Sequence, residues 1–162
     1  MGQDYTKHTL LFISKYPEII HEFSDAMKDR DIEIETAQNG IEAAAKIKKK
    51  NYDVVITGLS LEGYNGEQLI TYLNKTAPST VCIIYTTTIS SAQLHFFINE
   101  RNVFRVFLRP VDFRGAFWEA LEEAYEYHAV QVKNEEDTGA RRQEQEKQER
   151  EIEIMDQRMR SQ

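Results

Sequence analysis

Four of the five short apolar runs in this chain are followed at once by residues that could do chemistry. Ser14 and Lys15 follow the first run and Gly58 follows the third. Thr86 closes the fourth, and Arg109 and Pro110 follow the fifth. Two hydroxyls and two cations gathered at one place have two uses. They hold a small anion, or they bond the carbonyls of surrounding loops, as charged clusters often do for purely structural reasons. Other chemistries find no support in the spacing. His8, His21, His95 and His128 lack the spacing of metal ligands. Gly63 and Gly66 belong to a turn and not to a phosphate-cradling loop. No Ser/His/Asp arrangement is readable. Thr57 and Ser60 are alcohols close to Gly58, but side chains alternate along a strand, so Thr57 should face away from the cleft. The one cysteine, Cys82, excludes an intrachain disulfide and reads as a small buried hydrophobe within Val81, Ile83 and Ile84.

The elements that position these residues follow from hydrophobic patterning. Strands are expected over residues 9–13, 32–35, 54–57, 81–85 and 103–108. Four of these are nearly continuous apolar segments, suited to burial on both faces, and 32–35 alternates as an outer strand does. Helical patterns lie between them. Pro17 fits a first turn ahead of Ile20, Phe23 and Met27. Asn39-Gly40 opens a second helix with Ile41, Ala44 and Ile47 inward, and Leu69, Ile70 and Leu73 mark a third. Ser90 and Ser91 are candidate caps for a fourth helix that carries Leu94, Phe97 and Ile98. Asp112 is the candidate cap of a fifth, with Phe113, Phe117, Ala120, Leu121 and Ala124 as its buried stripe. Strict strand–helix alternation predicts an α/β fold: a doubly wound, flavodoxin-like parallel sheet of order 2-1-3-4-5. One domain is expected over residues 1–132. Residues 133–162 form a charged extension, helical in pattern, with a break expected at Gly139 and a short apolar stripe of Ile152, Met155 and Met159. The extension reads as frayed and solvated, helical or partly disordered, with a docking helix as the alternative, and it lacks the apolar seam of a coiled coil.

Over roughly residues 8–130 the chain resembles the receiver domains of two-component response regulators. Leu11 to Pro17 matches the family's first strand, Asp53 to Gly58 the third, and Glu62 to Gly66 the following turn. Tyr85-Thr86 matches the fourth strand with its switch hydroxyl, and Leu108-Arg109-Pro110 the fifth strand's Lys-Pro. The resemblance implies a phosphoacceptor aspartate where Gly58 stands, and two acidic residues where Ser14 and Lys15 stand. It implies a lysine where Arg109 stands, an aromatic where Val106 stands, and a cis bond before Pro110. Thr86 alone is retained. Gly58 offers no side chain to phosphorylate. Ser14 and Lys15 remove the hard oxygen ligands that Mg²⁺ requires and add a repelling charge. Arg109 is a forked cation and no equivalent of lysine.

These substitutions predict a degenerate pseudo-receiver: no enzyme, no cofactor and no metal, acting through protein–protein contacts without phosphorylation. A sensor that binds a small anion through Lys15, Arg109 and Thr86 is the alternative, as is the N-terminal regulatory part of a longer response regulator. A net charge of −7 argues against nucleic acid and anionic membrane surfaces. No run approaches the ~20 apolar residues of a membrane span, and no signal peptide is apparent at the N-terminus, so a cytoplasmic location is expected. Receivers commonly signal or dimerise through the fourth helix, fifth strand and fifth helix. Phe96, Trp118 and Tyr125 are surplus to the expected core there, with Trp118 and Tyr125 seven residues apart on one helix face. With Val106 they form the candidate interface, a homodimer being its commonest form.

Overall fold

The structure, a computed structural model, describes residues 7–160. The chain runs β1 (His8–Ile13), α1 (Pro17–Met27), β2 (Ile32–Ala37), α2 (Gly40–Lys49), β3 (Val54–Thr57), α3 (Gly66–Thr76), β4 (Val81–Thr86), α4 (Ser91–Glu100), β5 (Val103–Leu108) and α5 (Ala116–Arg160). All strand pairs are parallel, in the order β2-β1-β3-β4-β5. The expected topology is therefore the observed one. β1, β3 and β4 are central and bury almost every residue, as their unbroken apolar runs require. The edge strand β2 sets Ile32 and Ile34 against one layer, as their alternation with Glu33 and Glu35 predicted, and buries Ala37 at its end against the other.

Register sorts the strand side chains into two layers. Leu10, Phe12, Val54, Ile56, Ile83 and Tyr85 face α1 and α5, where Phe23, Phe113, Phe117 and Leu121 complete the layer. Leu11, Ile13, Val55, Cys82 and Ile84 face α2, α3 and α4, against Ala43, Leu69, Leu73 and Phe97. β5, the other edge, departs from regular alternation. A register shift between Cys82 and Ile83 makes Val103 partner Cys82 and Arg105 partner Ile83. Phe104 and Arg105 then both turn toward α5, Phe104 against the apolar layer and Arg105 onto Glu123 at 2.9 Å.

The helix starts follow their capping residues. Pro17 occupies the first turn of α1. Asn39 accepts the Glu42 N–H at 2.8 Å, and Asn65 with Gln68 and Ser90 with Gln93 form reciprocal capping boxes. Several expectations need correction. In α2 the buried side is Gly40, Ala43 and Ile47, while Ile41 is 58% exposed. In α4 only Phe97 is buried, and Leu94 and Ile98 lie open to solvent. Asp112 does not cap α5: it holds the turn ahead of that helix, accepting the Arg114 N–H at 3.0 Å, so Phe113 joins the core from a turn. Nor does Gly139 break the helix, which is continuous through it.

By its internal contacts the chain divides after His128 into two units. Within the second, residues 129–160 are helical, with Val130, Ile152, Ile154, Met155 and Met159 exposed.

Candidate functional site

Ser14, Lys15, Gly58, Thr86 and Arg109 do converge. They line a cavity of about 70 Å³ at the carboxyl ends of β1, β3, β4 and β5, where doubly wound sheets bind ligands. Tyr16, Leu59, Ser60, Leu61, Tyr85 and Thr87 complete the lining. Pro110 borders a neighbouring hollow that shares Tyr85, Thr87 and Arg109 with the first, and the Arg109–Pro110 peptide is cis, as the family resemblance implied.

Each polar group of the cleft has a local task. Ser14 is buried; its N–H donates to the Ala37 carbonyl at 3.0 Å, and its Oγ accepts the Tyr16 N–H at 3.2 Å. It shapes the turn after β1. The Arg109 N–H donates to the Thr86 carbonyl at 2.8 Å, and Thr86 Oγ1 makes a long bond to the Thr88 carbonyl at 3.3 Å. Thr57 is fully buried, and its hydroxyl donates to the Gly58 carbonyl at 2.8 Å. As alternation required, it is no substitute nucleophile. Two cations attend one ring: Lys15 Nζ lies 5.2 Å from the Tyr16 centroid and the Arg109 guanidinium carbon 4.5 Å from it. Burial raises the Tyr85 phenol above its ordinary pKa against the pull of Arg109. Among the described residues lining the cavity, none is acidic. Among the described residues, no buried side-chain nitrogen or oxygen lacks a hydrogen-bond partner.

The two glycines here differ in what holds them. A Cβ on Gly66 would lie 2.2 Å from the Gly58 carbonyl oxygen, so that close approach demands glycine. A Cβ on Gly58 would meet only the Tyr85 and Ile13 carbonyl oxygens at 3.7 and 3.9 Å, ordinary contact distances. Neither packing nor backbone conformation compels a glycine at position 58.

The four candidate interface residues do not form one surface. Tyr125 is buried at 6% exposure; its hydroxyl donates to the Thr9 carbonyl at 3.2 Å and its ring stacks on His8. It belongs to the core, four residues beyond Leu121 on the same helix face. Trp118 is half-buried toward α1, with the Arg30 guanidinium 4.3 Å from its ring. Phe96 and Val106 lie on the other side of the sheet, packed against the second layer, and Arg101 covers Phe96. The large apolar residues that α4 and β5 expose are instead Leu94, Ile98 and Leu108.

A second polar cluster, absent from the reading of the sequence, lies at the amino ends of β1 and β3. Asp53 Oδ1 is 3.1 Å from His128 Nε2, and Oδ2 accepts the Thr9 N–H at 3.2 Å and lies 3.8 Å from His8 Nδ1. His128 Nδ1 meets the Ser79 carbonyl at 2.8 Å. Burial acts to raise the Asp53 pKa, but the bonds from His128 and Thr9 and the neighbouring imidazoles outweigh it and hold it below the usual carboxylate value.

The model of the response regulator receiver domain matches residues 11–115. No curated protein matches the chain significantly. Among solved structures, the signal receiver domain of an HD domain-containing protein from Pseudomonas fluorescens Pf-5 is 20% identical with a TM-score of 0.71, covering 76% of this chain and 98% of that one. A CheY-like receiver domain protein from Methanospirillum hungatei JF-1 is 19% identical with a TM-score of 0.70, covering 77% and 99%. A response regulator from Thermotoga maritima, solved with Mg²⁺ and BeF, is 21% identical with a TM-score of 0.61, covering 72% and 98%. At these identities the structures establish shared fold.

Proposed function

From a chain that belongs to the response regulator receiver domain family, we infer a pseudo-receiver: a signalling module that engages protein partners without being phosphorylated. Receiver domains are modules of two-component signalling that work through signalling partners and are in general not enzymes. The observation that carries the finer reading is the cleft itself, which has Gly58 where a nucleophile is needed and, among the described residues, two cations but no carboxylate in its lining. Phosphoryl transfer to a receiver needs a carboxylate nucleophile and a divalent cation held by oxygen ligands. Ser14 keeps its oxygen engaged in a turn, and Lys15 brings positive charge to the metal's place. Among the described residues every buried side-chain nitrogen and oxygen has a hydrogen-bond partner within the chain, which supports a cleft holding one conformation.

Contact with a partner is assigned to α4 and β5, where Leu94, Ile98 and Leu108 are exposed and Val106 is half-buried. Residues 1–132 are the partner-binding domain in this reading and 133–162 a charged extension; a cytoplasmic location and the absence of nucleic-acid contact belong to it too. Among the described residues no helix is long and apolar enough to cross a membrane. The test is incubation with acetyl phosphate and Mg²⁺ followed by intact mass measurement. Unchanged mass is expected. A hydroxylamine-labile gain of one phosphoryl group overturns the reading.

A further inference from the structure

We propose that the cleft at the carboxyl ends of the strands is a reversible binding site for a free tetrahedral oxyanion of the phosphate or sulfate class, held by Lys15 and Arg109. The proposal deepens the pseudo-receiver reading and rests on it: the same substitutions that remove metal and nucleophile invert the polarity of the cavity.

Three observations carry it. The first is charge. Lys15 and Arg109 lie 5.2 and 4.5 Å from one Tyr16 centroid, which places the two cations within about one Debye length (~10 Å at 0.1 M salt) of each other. Among the described residues no acidic one lines the cavity to neutralise them, and Glu22 borders the adjoining hollow instead. In a chain whose net charge is −7, a cavity with cations alone is a local reversal of sign. The repulsion between the two charges is relieved when an anion enters between them.

The second is size. The cavity measures about 70 Å³, room for a few water molecules and so for one five-atom oxyanion, and well short of the roughly 300 Å³ at which sites for larger organic ligands begin. Gly58 contributes to that room, since the space where its side chain would stand holds no atom closer than 3.7 Å.

The third is the donor set. Lys15 supplies rotatable N–H donors and Arg109 a planar fork suited to two oxygens of one anion. Ser60 and Thr87 add hydroxyl-bearing residues to the lining, and the long bond of Thr86 Oγ1, at 3.3 Å, is one that a charged acceptor displaces readily. No covalent step is involved: the anion enters and leaves intact, and its oxygens accept from nitrogen and hydroxyl donors only.

The experiment is thermal unfolding of the full chain in sodium phosphate, sodium sulfate and sodium chloride at constant ionic strength, with Lys15→Gln, Arg109→Gln and, as a remote control, Lys48→Gln. At ten times its dissociation constant, phosphate should raise the midpoint by about 6 °C over chloride. The shift should vanish in Lys15→Gln and Arg109→Gln and persist in Lys48→Gln. Each variant's midpoint in chloride shows whether it has kept its fold, and Lys15, which is exposed, gives a variant without a packing cost. An equal shift in wild type and Lys15→Gln, or none in wild type at 50 mM phosphate (roughly the upper end of meaningful affinity), overturns the proposal. A phosphomonoester such as glucose 6-phosphate that stabilises more than inorganic phosphate overturns the assignment to a free oxyanion. A phosphoryl adduct by mass defeats the pseudo-receiver reading, whereas absence of a thermal shift defeats only this one.

Discussion

Replacing Asp53 with asparagine should destabilise the protein in a way that depends on pH, because one carboxylate joins three segments at the amino end of the sheet. Its side chain is 27% exposed. One oxygen receives the Thr9 N–H at 3.2 Å and the other faces His128 Nε2 at 3.1 Å. Asparagine is nearly isosteric, so no cavity forms, but one acceptor becomes an NH2 donor that must face either an N–H of Thr9 or the imidazole. The loss is that of the charge assistance the carboxylate gives its hydrogen bonds to Thr9 and His128, about 1.5–3 kcal/mol. At on the order of 4 °C per kcal/mol for a domain of this size, the midpoint should fall by roughly 6–12 °C at pH 7. The Asp53 pKa is lowered on folding, so its contribution is fully present above the unfolded carboxyl value near 3.8 and is lost as pH falls through the depressed folded value. Urea unfolding of wild type and Asp53→Asn at pH 7, 5 and 3 checks this. The gap between midpoints should persist from pH 7 to 5 and should narrow at pH 3. Equal midpoints at pH 7, or a gap unchanged at pH 3, refute the account of Asp53 as a charged tie.

Three further outcomes are expected. Gly58→Asp should fold with a midpoint close to wild type, because its Cβ meets only ordinary contacts, yet gain no phosphoryl group from acetyl phosphate; Ser14→Asp, Lys15→Asp and Gly58→Asp together should gain one, by intact mass. Tyr125→Phe should cost about 1 kcal/mol for the bond to the Thr9 carbonyl, and Tyr125→Ala about 3–5 kcal/mol by cavity formation, both read from denaturant midpoints; an unperturbed Tyr125→Ala would return that residue to the surface. Burial pushes the Cys82 thiol up to about 12, so iodoacetamide at pH 8 should leave the folded protein unlabelled and label it in urea.

The layout of the sheet and the composition of the cleft were legible because both depend on short-range pattern. Unbroken apolar runs such as Val54 to Thr57 can only be central strands in an alternating chain, and the cleft residues are those that follow such runs. The helix faces were less legible. In α2 the residues that pack are Gly40 and Ala43, chosen for smallness: a Cβ on Gly40 would fall on the Tyr64 carbonyl. A pattern read for large side chains turned Ile41 inward instead. Tyr125 illustrates a different difficulty. Its spacing from Trp118 and its spacing from Leu121 are both helical, and only the partner on β1, the Thr9 carbonyl, decides between them. The tie between Asp53 and His128 joins the start of β3 to α5, and nothing local in either segment announces it.

The shifted register between β4 and β5 bears on how copies of this chain can associate. An open edge strand is a template on which another strand can grow, and sheets with long flat edges are prone to join end to end. β5 is such an edge, but the shift twists it and places Arg105 within it, its guanidinium committed to Glu123. A neighbour that tried to extend the sheet would meet an irregular ladder of amides and a charged side chain. Association at this flank is thereby steered away from backbone pairing and left to side chains, so contacts made there can be specific, reversible and limited in number.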